Sequence, residues 1–472
     1  MSFISFSFVL LFALTLLGRF TIGRTKVEKP YLVFLLVMSL VFYASFIPRY
    51  LLLLLFTTGV DYAVGFWIFE SPSPARKKMY LVLSLTANLG LLGFYKYSNF
   101  VLKLAGDLGA GLGMEVSALP HLALVLPLGI SFFTFQSMSY TIDVYRGRLK
   151  PVNSYWRFLL FVSFFTHLIS GPIVRASELL YQFDRKRRIR LSVFLHGIYL
   201  MVLGFFLKMV VADNLAAYVN KYWDRGAADQ MPASVPLALA FLFSCQIFAD
   251  FFGYTNIAMG GAYLLGFKLP VNFDHPYLAA SFREFWARWH ITLSRWFRDY
   301  VYIPLGGNRG SREKVYGALL LTMLLAGLWH GAAYTFLIWG ALHGVALILE
   351  RVLGFHISDG ARHRFLGFLW FLVVQATVMV AWIFFRAENA GQGFIFLKNM
   401  TGGNFAWKYL LQIYPAFLFA SPVLFLHLRA FLVEKAWMGK AGIGEKTALC
   451  SLMLYGIITL YGKNNAFLYF QF

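Results

Sequence analysis

The sequence predicts an all-α, polytopic integral membrane protein, and three observations carry that reading. Apolar runs of membrane-crossing length recur from one end of the chain to the other. Hydrophobic residues make up 59% of the 472 and charged residues only 13%, where a soluble domain would carry about 25% charge. The charge that remains is basic, with a net value of +21, and it stands in short segments between the apolar runs. In a soluble chain such an excess would raise nucleic-acid binding. Confined to short loops it follows the positive-inside rule, so no nucleic-acid partner is expected.

Taken in order, the first apolar runs are Phe3–Gly18, Pro30–Ile47, Tyr50–Phe69 and Met79–Tyr95. Phe3–Gly18 has no basic segment before it and no small-residue cleavage site after it, so it reads as a retained first helix. Arg19, Arg24, Lys26 and Lys29 fill the first gap, Arg49 stands alone in the second, and Arg76, Lys77 and Lys78 fill the third. That alternation puts the first and third loops in the cytoplasm and the N-terminus outside. Gly106–Gly113 reads as an external loop, and Pro127 and Gly129 are expected to break or kink His121–Ile142.

Phe158–Pro172 is short for a full span and ends in His167, Ser170, Gly171 and Pro172. Such a segment reads as re-entrant, a form tolerated only when buried in protein. The basic run Arg185–Arg190 faces the cytoplasm on the same charge rule. Further embedded runs are Leu191–Val211, Leu237–Phe252, Tyr254–Phe267, Val315–Tyr334, Thr335–Glu350, Phe365–Phe385, Tyr409–Leu428 and Thr447–Tyr461, before an aromatic end at Phe467–Phe472. The total is roughly eleven to thirteen embedded segments of about 17–25 residues each. With no internal repeat and no low-complexity tail, residues 1–472 read as one membrane domain. Cys245 and Cys450 both lie in apolar runs and imply neither a disulfide framework nor a thiolate metal site.

Ser281–Tyr300 has a different pattern. At about 100° per residue, Phe282, Phe285, Trp286, Trp289, Leu293, Trp296, Phe297 and Tyr300 form one stripe, with Arg283, Arg288, Arg295 and Arg298 opposite. This predicts a helix lying flat on the cytoplasmic leaflet. His290 falls on the border of the two faces, where it either bonds a neighbour or reaches from the headgroup layer into the protein.

His330 lies within an apolar run, flanked by Ala326, Gly327, Gly331, Ala332 and Ala333. Ionisable groups at membrane depth are costly and commonly functional. Small neighbours admit another helix or a thin substrate close to the backbone. Burial disfavours the charged imidazole, which suits a general base that takes a proton from a hydroxyl attacking an acyl group. The alternative is a histidine that packs between helices. His343 is expected to be structural, and His167 could line a cavity. Asp250 needs a partner, and Lys208 snorkels or pairs with Asp213. Leu305–Arg309 reads as a tight turn. No Gly-x-Ser-x-Gly elbow, metal-ligand spacing or phosphate loop is present.

Several motifs together resemble the membrane-bound O-acyltransferases. They are Gly93–Asn99 (GFYKYSN), Leu126–Gly147 (LPLGISFFTFQSMSYTIDVYRG), His167–Pro172 (HLISGP), Asn272–Arg309, Gly327–Gly331 (GLWHG), Trp382–Glu388 (WIFFRAE) and the terminal Tyr469–Phe472. The resemblance covers nearly the whole chain and is nearest to members that acetylate extracytoplasmic polysaccharides such as alginate. It implies helices around a central tunnel in a bacterial inner membrane. It also implies a cytoplasmic acyl donor, acetyl-CoA, with no bound cofactor or metal, and an extracytoplasmic acetyltransferase partner that passes the acetyl group to the polysaccharide. The family's catalytic histidine falls on His330 and its second histidine on His290. One departure stands at Asp250–Asn256, DFFGYTN, where relatives commonly read DFSGYSD. Two other functions remain open to the sequence: a transporter or flippase for a lipid-linked sugar, and an acyltransferase acting directly on a lipid or protein.

Overall fold

In the computed structural model the described residues are 3–24, 29–114, 120–169, 171–184, 189–226, 231–354, 361–402, 404–439 and 441–463. Ser170, the run Arg185–Arg188, Lys26 and the terminal Phe467–Phe472 lie outside them. Among the described residues every regular element is helical. Seven helical stretches of these described residues are long and apolar enough to cross a membrane, and two shorter ones, Phe6–Thr21 and Lys29–Ala44, are also apolar. The chain divides into two structural units, Met1–Ile198 with Ala258–Pro270, and Tyr199–Ile257 with Val271–Phe472.

The first unit begins with α1 (Phe6–Thr21), α2 (Lys29–Ala44), α3 (Tyr50–Glu70) and α4 (Pro74–Leu92). Local chemistry starts two of them. The Ser5 hydroxyl accepts the Phe8 N–H, and α4 has Ser73 as its cap with Pro74 at the first helical position. The fully buried Asp61 of α3 is satisfied by α4, accepting from the Ser84 hydroxyl at 2.5 Å and from the Asn88 amide at 2.9 Å. A buried carboxylate without such donors would strongly destabilise the fold.

The expected Gly106–Gly113 loop is instead largely helix, the end of α5 (Ser98–Gly111). Leu104 and Leu108 stand one turn apart there, and the small residues between them tolerate helix as well as loop. Next come α6 (Ile130–Tyr145), α7 (Tyr155–Ser163), α8 (Phe165–Leu168) and α9 (Ala176–Phe183). The break before α6 falls where the sequence placed it, with Gly129 left-handed at φ 69°. Asn99 of the GFYKYSN motif clamps the extended approach to α6, bonding both the N–H and the carbonyl of Leu122 at 2.9 Å. The short segment Phe158–Pro172 folds as the end of α7, a corner at Phe164 and the single turn α8, all deeply buried. Backbone away from regular helix is thus enclosed by protein, as an apolar medium requires.

The second unit receives α10 (Leu191–Phe205) from Tyr199 onward, a π-helical turn at Phe206–Ala212, α11 (Asp213–Gly226) and α12 (Ser234–Leu264) as far as Ile257. The sequence divides α12 at Gly253, but the helix runs through without a break. Gly253 serves close approach: a Cβ added at Gly204 of α10 would lie 2.6 Å from its carbonyl oxygen. Where the π turn meets these helices, the Lys208 ammonium stands 2.8 Å from both Asp213 and Asp250, with all three side chains buried. These are the partners that Asp250 and Lys208 required.

The rest of this unit is α13 (Phe282–Arg288), α14 (Ile291–Phe297), α15 (Arg312–His330), α16 (Tyr334–Leu353), α17 (Ala361–Arg386), α18 (Ala390–Gly402), α19 (Trp407–Glu434) and α20 (Ile443–Leu460). Pro422 inside α19 has no N–H for the Leu418 carbonyl, and the Ser421 hydroxyl donates to that carbonyl instead at 2.7 Å. The LGGNR segment is a turn, with Gly306 at φ 110° and Gly307 at φ 57°.

Candidate functional site

The flat helix expected over Ser281–Tyr300 is two short helices. α13 ends at Arg288, His290 is left-handed at φ 41° and ψ 55°, and α14 starts at Ile291. The apolar residues of the stripe pack into protein: Phe282, Phe285, Trp289, Leu293 and Trp296 are buried. A wheel shows that a face is apolar without saying whether lipid or protein covers it, and a one-residue break is invisible to it. Arg288 on the opposite face is held by Glu284 at 2.9 Å and by Glu434 of α19 at 2.8 Å.

Each short helix is started by acceptors that take its first N–H groups. Ser281 caps α13 by accepting the Glu284 N–H at 3.0 Å, while the Glu284 carboxylate accepts the Ala280 N–H at 2.8 Å. The buried Glu350 of α16 takes two more orphan donors, the N–H groups of Phe282 at 2.5 Å and Arg283 at 3.2 Å. A carboxylate here also meets the positive end of the helix dipole. For α14 the side-chain cap is remote. The carbonyl oxygen of the Asn272 amide accepts the Thr292 hydroxyl at 2.8 Å and the Thr292 N–H at 3.2 Å. The Asn272 backbone carbonyl takes the Ile291 N–H at 2.9 Å. His290 is therefore turned inward and fully buried, no longer on a border. Its ring meets the edge of Phe251 at 4.6 Å between centroids and lies 5.9 Å from Trp329. Burial pushes its imidazole down to about 3, so the ring is neutral at ordinary pH.

His330 is the last residue of α15 and is also buried. The helix stops because Gly331 is extended, and three residues later α16 returns along it. The hairpin closes on glycines. A Cβ at Gly327 would lie 2.2 Å from the Phe336 carbonyl oxygen, and one at Gly340 would lie 2.4 Å from that of Met323. Backbones so close hold the imidazole at the tip of a rigid pair. Around it stand Trp329 and Trp339, each at 5.0 Å, and Phe385 of the WIFFRAE motif at 5.3 Å.

The structure thus brings the two candidate histidines into one aromatic cluster with Trp329 common to both. His343, which sequence reasoning set aside as structural, joins the same cluster. It is fully buried, 4.8 Å from the Trp339 ring and 5.0 Å from Trp286. The sequence spacing of thirteen residues hid this, because α15 and α16 are antiparallel and not one helix. Asn272 and Glu350 were also missed as supports. Glu350 carried a signal, a carboxylate closing an apolar run, whereas Asn272 lies in a loop and shows no periodicity. His167 belongs to the first unit, buried against Phe164 at 5.6 Å. Among the described residues no three His, Cys, Asp or Glu side chains converge as a metal site.

Comparison with known proteins meets the same region. The sequence model of the membrane-bound O-acyltransferase family matches residues 152–385, which contain both histidines. A probable alginate O-acetylase of Pseudomonas aeruginosa is 39% identical across 82% of this chain and 72% of its own length. A peptidoglycan O-acetyltransferase of Helicobacter pylori is 33% identical across 93% of this chain and 91% of its own. A teichoic acid D-alanyltransferase of Streptococcus thermophilus is 31% identical across 47% of this chain and 56% of its own.

Proposed function

The chain belongs to the membrane-bound O-acyltransferase family, and from that premise we propose that it carries an acetyl group from cytoplasmic acetyl-CoA, across the inner membrane, for O-acetylation of an extracytoplasmic polysaccharide through a partner protein. It is a multi-pass membrane acyltransferase. Membership of an acyltransferase family decides against the transporter or flippase that the sequence alone left open.

The observation that carries the mechanism is the position of His330. It ends a glycine-closed hairpin and is enclosed by three aromatic rings. An imidazole so enclosed is held in one orientation, which suits it to take a proton from a bound hydroxyl. In the proposed step the acceptor hydroxyl gives its proton to His330 as its oxygen attacks the thioester carbonyl carbon. The tetrahedral intermediate then collapses, the carbon–sulfur bond breaks, and the departing thiolate recovers the proton. Attack requires the reacting atoms about 3–3.5 Å apart. Donor and acceptor must therefore meet at this ring along a tunnel from both membrane faces. His290, neutral and buried 5.9 Å from the Trp329 ring that also borders His330, orients the donor or relays the proton.

The support from relatives is their chemistry: two that each match more than four fifths of this chain are named for O-acetyl transfer involving alginate and peptidoglycan. Proteoliposomes with one orientation of the full chain test the reading. Radiolabelled acetyl-CoA supplied on the cytoplasmic face should deliver label to a polysaccharide and partner on the opposite face. Label that appears only when donor and acceptor share a face would refute transmembrane transfer.

A further inference from the structure

The second unit contains a cavity of about 900 Å³ that this mechanism does not use, near the upper end of the range of about 300–1,000 Å³ for ligand pockets. It lies between α10, α19 and α20, and its wall is graded. Near the turn joining α19 to α20 it carries Arg429, Glu434 and Lys446, with Asp274 and His275 from the segment before α13. Further along, the wall is hydrocarbon, formed by Leu203 of α10, Phe206 of the π turn, Phe425 of α19, and Leu449 and Met453 of α20. At about 1.5 Å per helical residue, Lys446 to Met453 spans about 10 Å and Glu434 to Ser421 about 20 Å. The charged end thus sits at the ends of two membrane-length helices, and the apolar end reaches the depth of one leaflet, about half of roughly 30 Å. Ser421 and Pro422 of α19 line that deep end.

The charges at the mouth are of both signs. Arg429 meets Glu445 at 2.8 Å, Arg288 meets Glu434 at 2.8 Å, and Asp274 meets His275 at 3.2 Å. The Lys446 ammonium stands 5.9 Å from the centre of the Tyr199 ring. A polyanion would meet the carboxylates of Asp274 and Glu434 together with the basic groups. A head with one phosphate and one ammonium finds a partner for each charge. Access from the bilayer is direct, because α20 is largely uncovered by protein, with Leu452 67% and Ile458 74% exposed.

We propose that this cavity binds a zwitterionic phospholipid of the phosphatidylethanolamine type. Its phosphate lies toward Lys446 and Arg429, its ammonium toward Glu434 and Asp274, and an acyl chain runs along Leu203, Phe425, Leu449 and Met453. The site fixes α20, which the protein itself buries little, by filling the gap behind it with lipid. No acyl transfer is needed to detect it.

The test uses the full chain in nanodiscs of phosphatidylethanolamine and phosphatidylglycerol, doped with phosphatidylethanolamine that carries a photoreactive acyl chain. Cross-links should map to the α19 and α20 peptides that contain Phe425 and Met453. Leu449→Trp, which fills the cavity, should cut labelling about tenfold, the loss of one good contact set. Leu454→Trp, on the same helix but outside the wall, should leave it unchanged. Ala430→Trp repeats the test from α19 if Leu449→Trp does not elute as a single species. Unlabelled phosphatidylethanolamine should compete better than phosphatidylglycerol, and Lys446→Glu should abolish that preference. Equal labelling of the cavity-filling and control variants would overturn the site. Equal competition by phosphatidylglycerol would overturn the head-group assignment, and competition by coenzyme A would give the cavity to the acyl donor instead.

Discussion

Asn272 holds Thr292 twice, taking its hydroxyl at 2.8 Å and its backbone N–H at 3.2 Å on one amide oxygen. Between them in the chain stands His290, in a left-handed conformation that a non-glycine residue adopts only when its surroundings impose it. The cap supplies that constraint. It starts α14 immediately after His290 and leaves the imidazole nowhere to turn but inward.

Asn272→Ala should therefore weaken the protein by about 0.5–2 kcal/mol, the loss of a helix cap, and lower acyl transfer by more than instability explains. A positioning role predicts a fall in kcat with KM for the donor nearly unchanged. Asn272→Asp keeps the acceptor oxygen and should recover part of the rate. Steady-state kinetics on folded, monodisperse protein decide it: equal kcat in Asn272→Ala and the parent would reduce Asn272 to a fold element.

His330→Ala should lower transfer by about 10²–10⁴, the usual contribution of a general base, while membrane insertion and elution behaviour stay normal. The side chain is not needed to close the hairpin, which rests on Gly327 and Gly340. His290→Ala should be milder if its part is orientation or relay. Near-normal polymer acetylation by the His330 variant would remove it from the chemistry.

Gly340→Ala tests the hairpin. The added methyl would lie 2.4 Å from the Met323 carbonyl oxygen, and the obstacle is backbone that cannot rotate away. Overpacking of this kind costs about 1–3 kcal/mol. The outcome expected is a lower melting temperature together with lost activity, because α15 must shift and it carries His330. Gly317→Ala, on α15 with no heavy atom within 4 Å of its added Cβ, is the control and should be silent.

Much of this was legible in the sequence, for identifiable reasons. Recurrent apolar runs fix an all-α membrane protein, because only closed hydrogen bonding survives in lipid. The break at Gly129 and the turn at Gly306–Gly307 follow from residue type alone. His330 stood out as an ionisable group in an apolar run, and its small neighbours marked a close helix contact, realised at Gly327. The misses share a cause. Periodicity detects a face, not its cover, so the stripe from Phe282 to Tyr300 pointed to lipid when it packs on protein. Gly253 read as a break when it permits close approach to Gly204. The contacts of Asn272 and Trp329 are made only by folding, and periodicity does not announce them; His343, expected to be structural, packs in the same aromatic cluster.

The last prediction concerns the buried ions. Lys208 sits in a π-helical turn and binds Asp213 and Asp250 at 2.8 Å each, with all three side chains almost fully buried. The attraction offsets the large cost of removing three charges from water, and it does so only while the ammonium is present. Lys208→Met would leave two carboxylates close together in an apolar interior, each deprived of its cation. Removing one partner of a buried pair costs about 3–5 kcal/mol, a large part of a typical folding free energy, so the variant should fail to accumulate as folded protein. Asp213→Asn should be gentler, since one ion pair with Asp250 survives. The combination of Lys208→Met with Asp213→Asn and Asp250→Asn should recover folded protein, because no unpaired charge remains in the group. Fluorescence-detected size exclusion across the four proteins reads the order directly. Folded Lys208→Met at parental levels, or a triple variant no better than the single, would show that the ions do not hold this junction together.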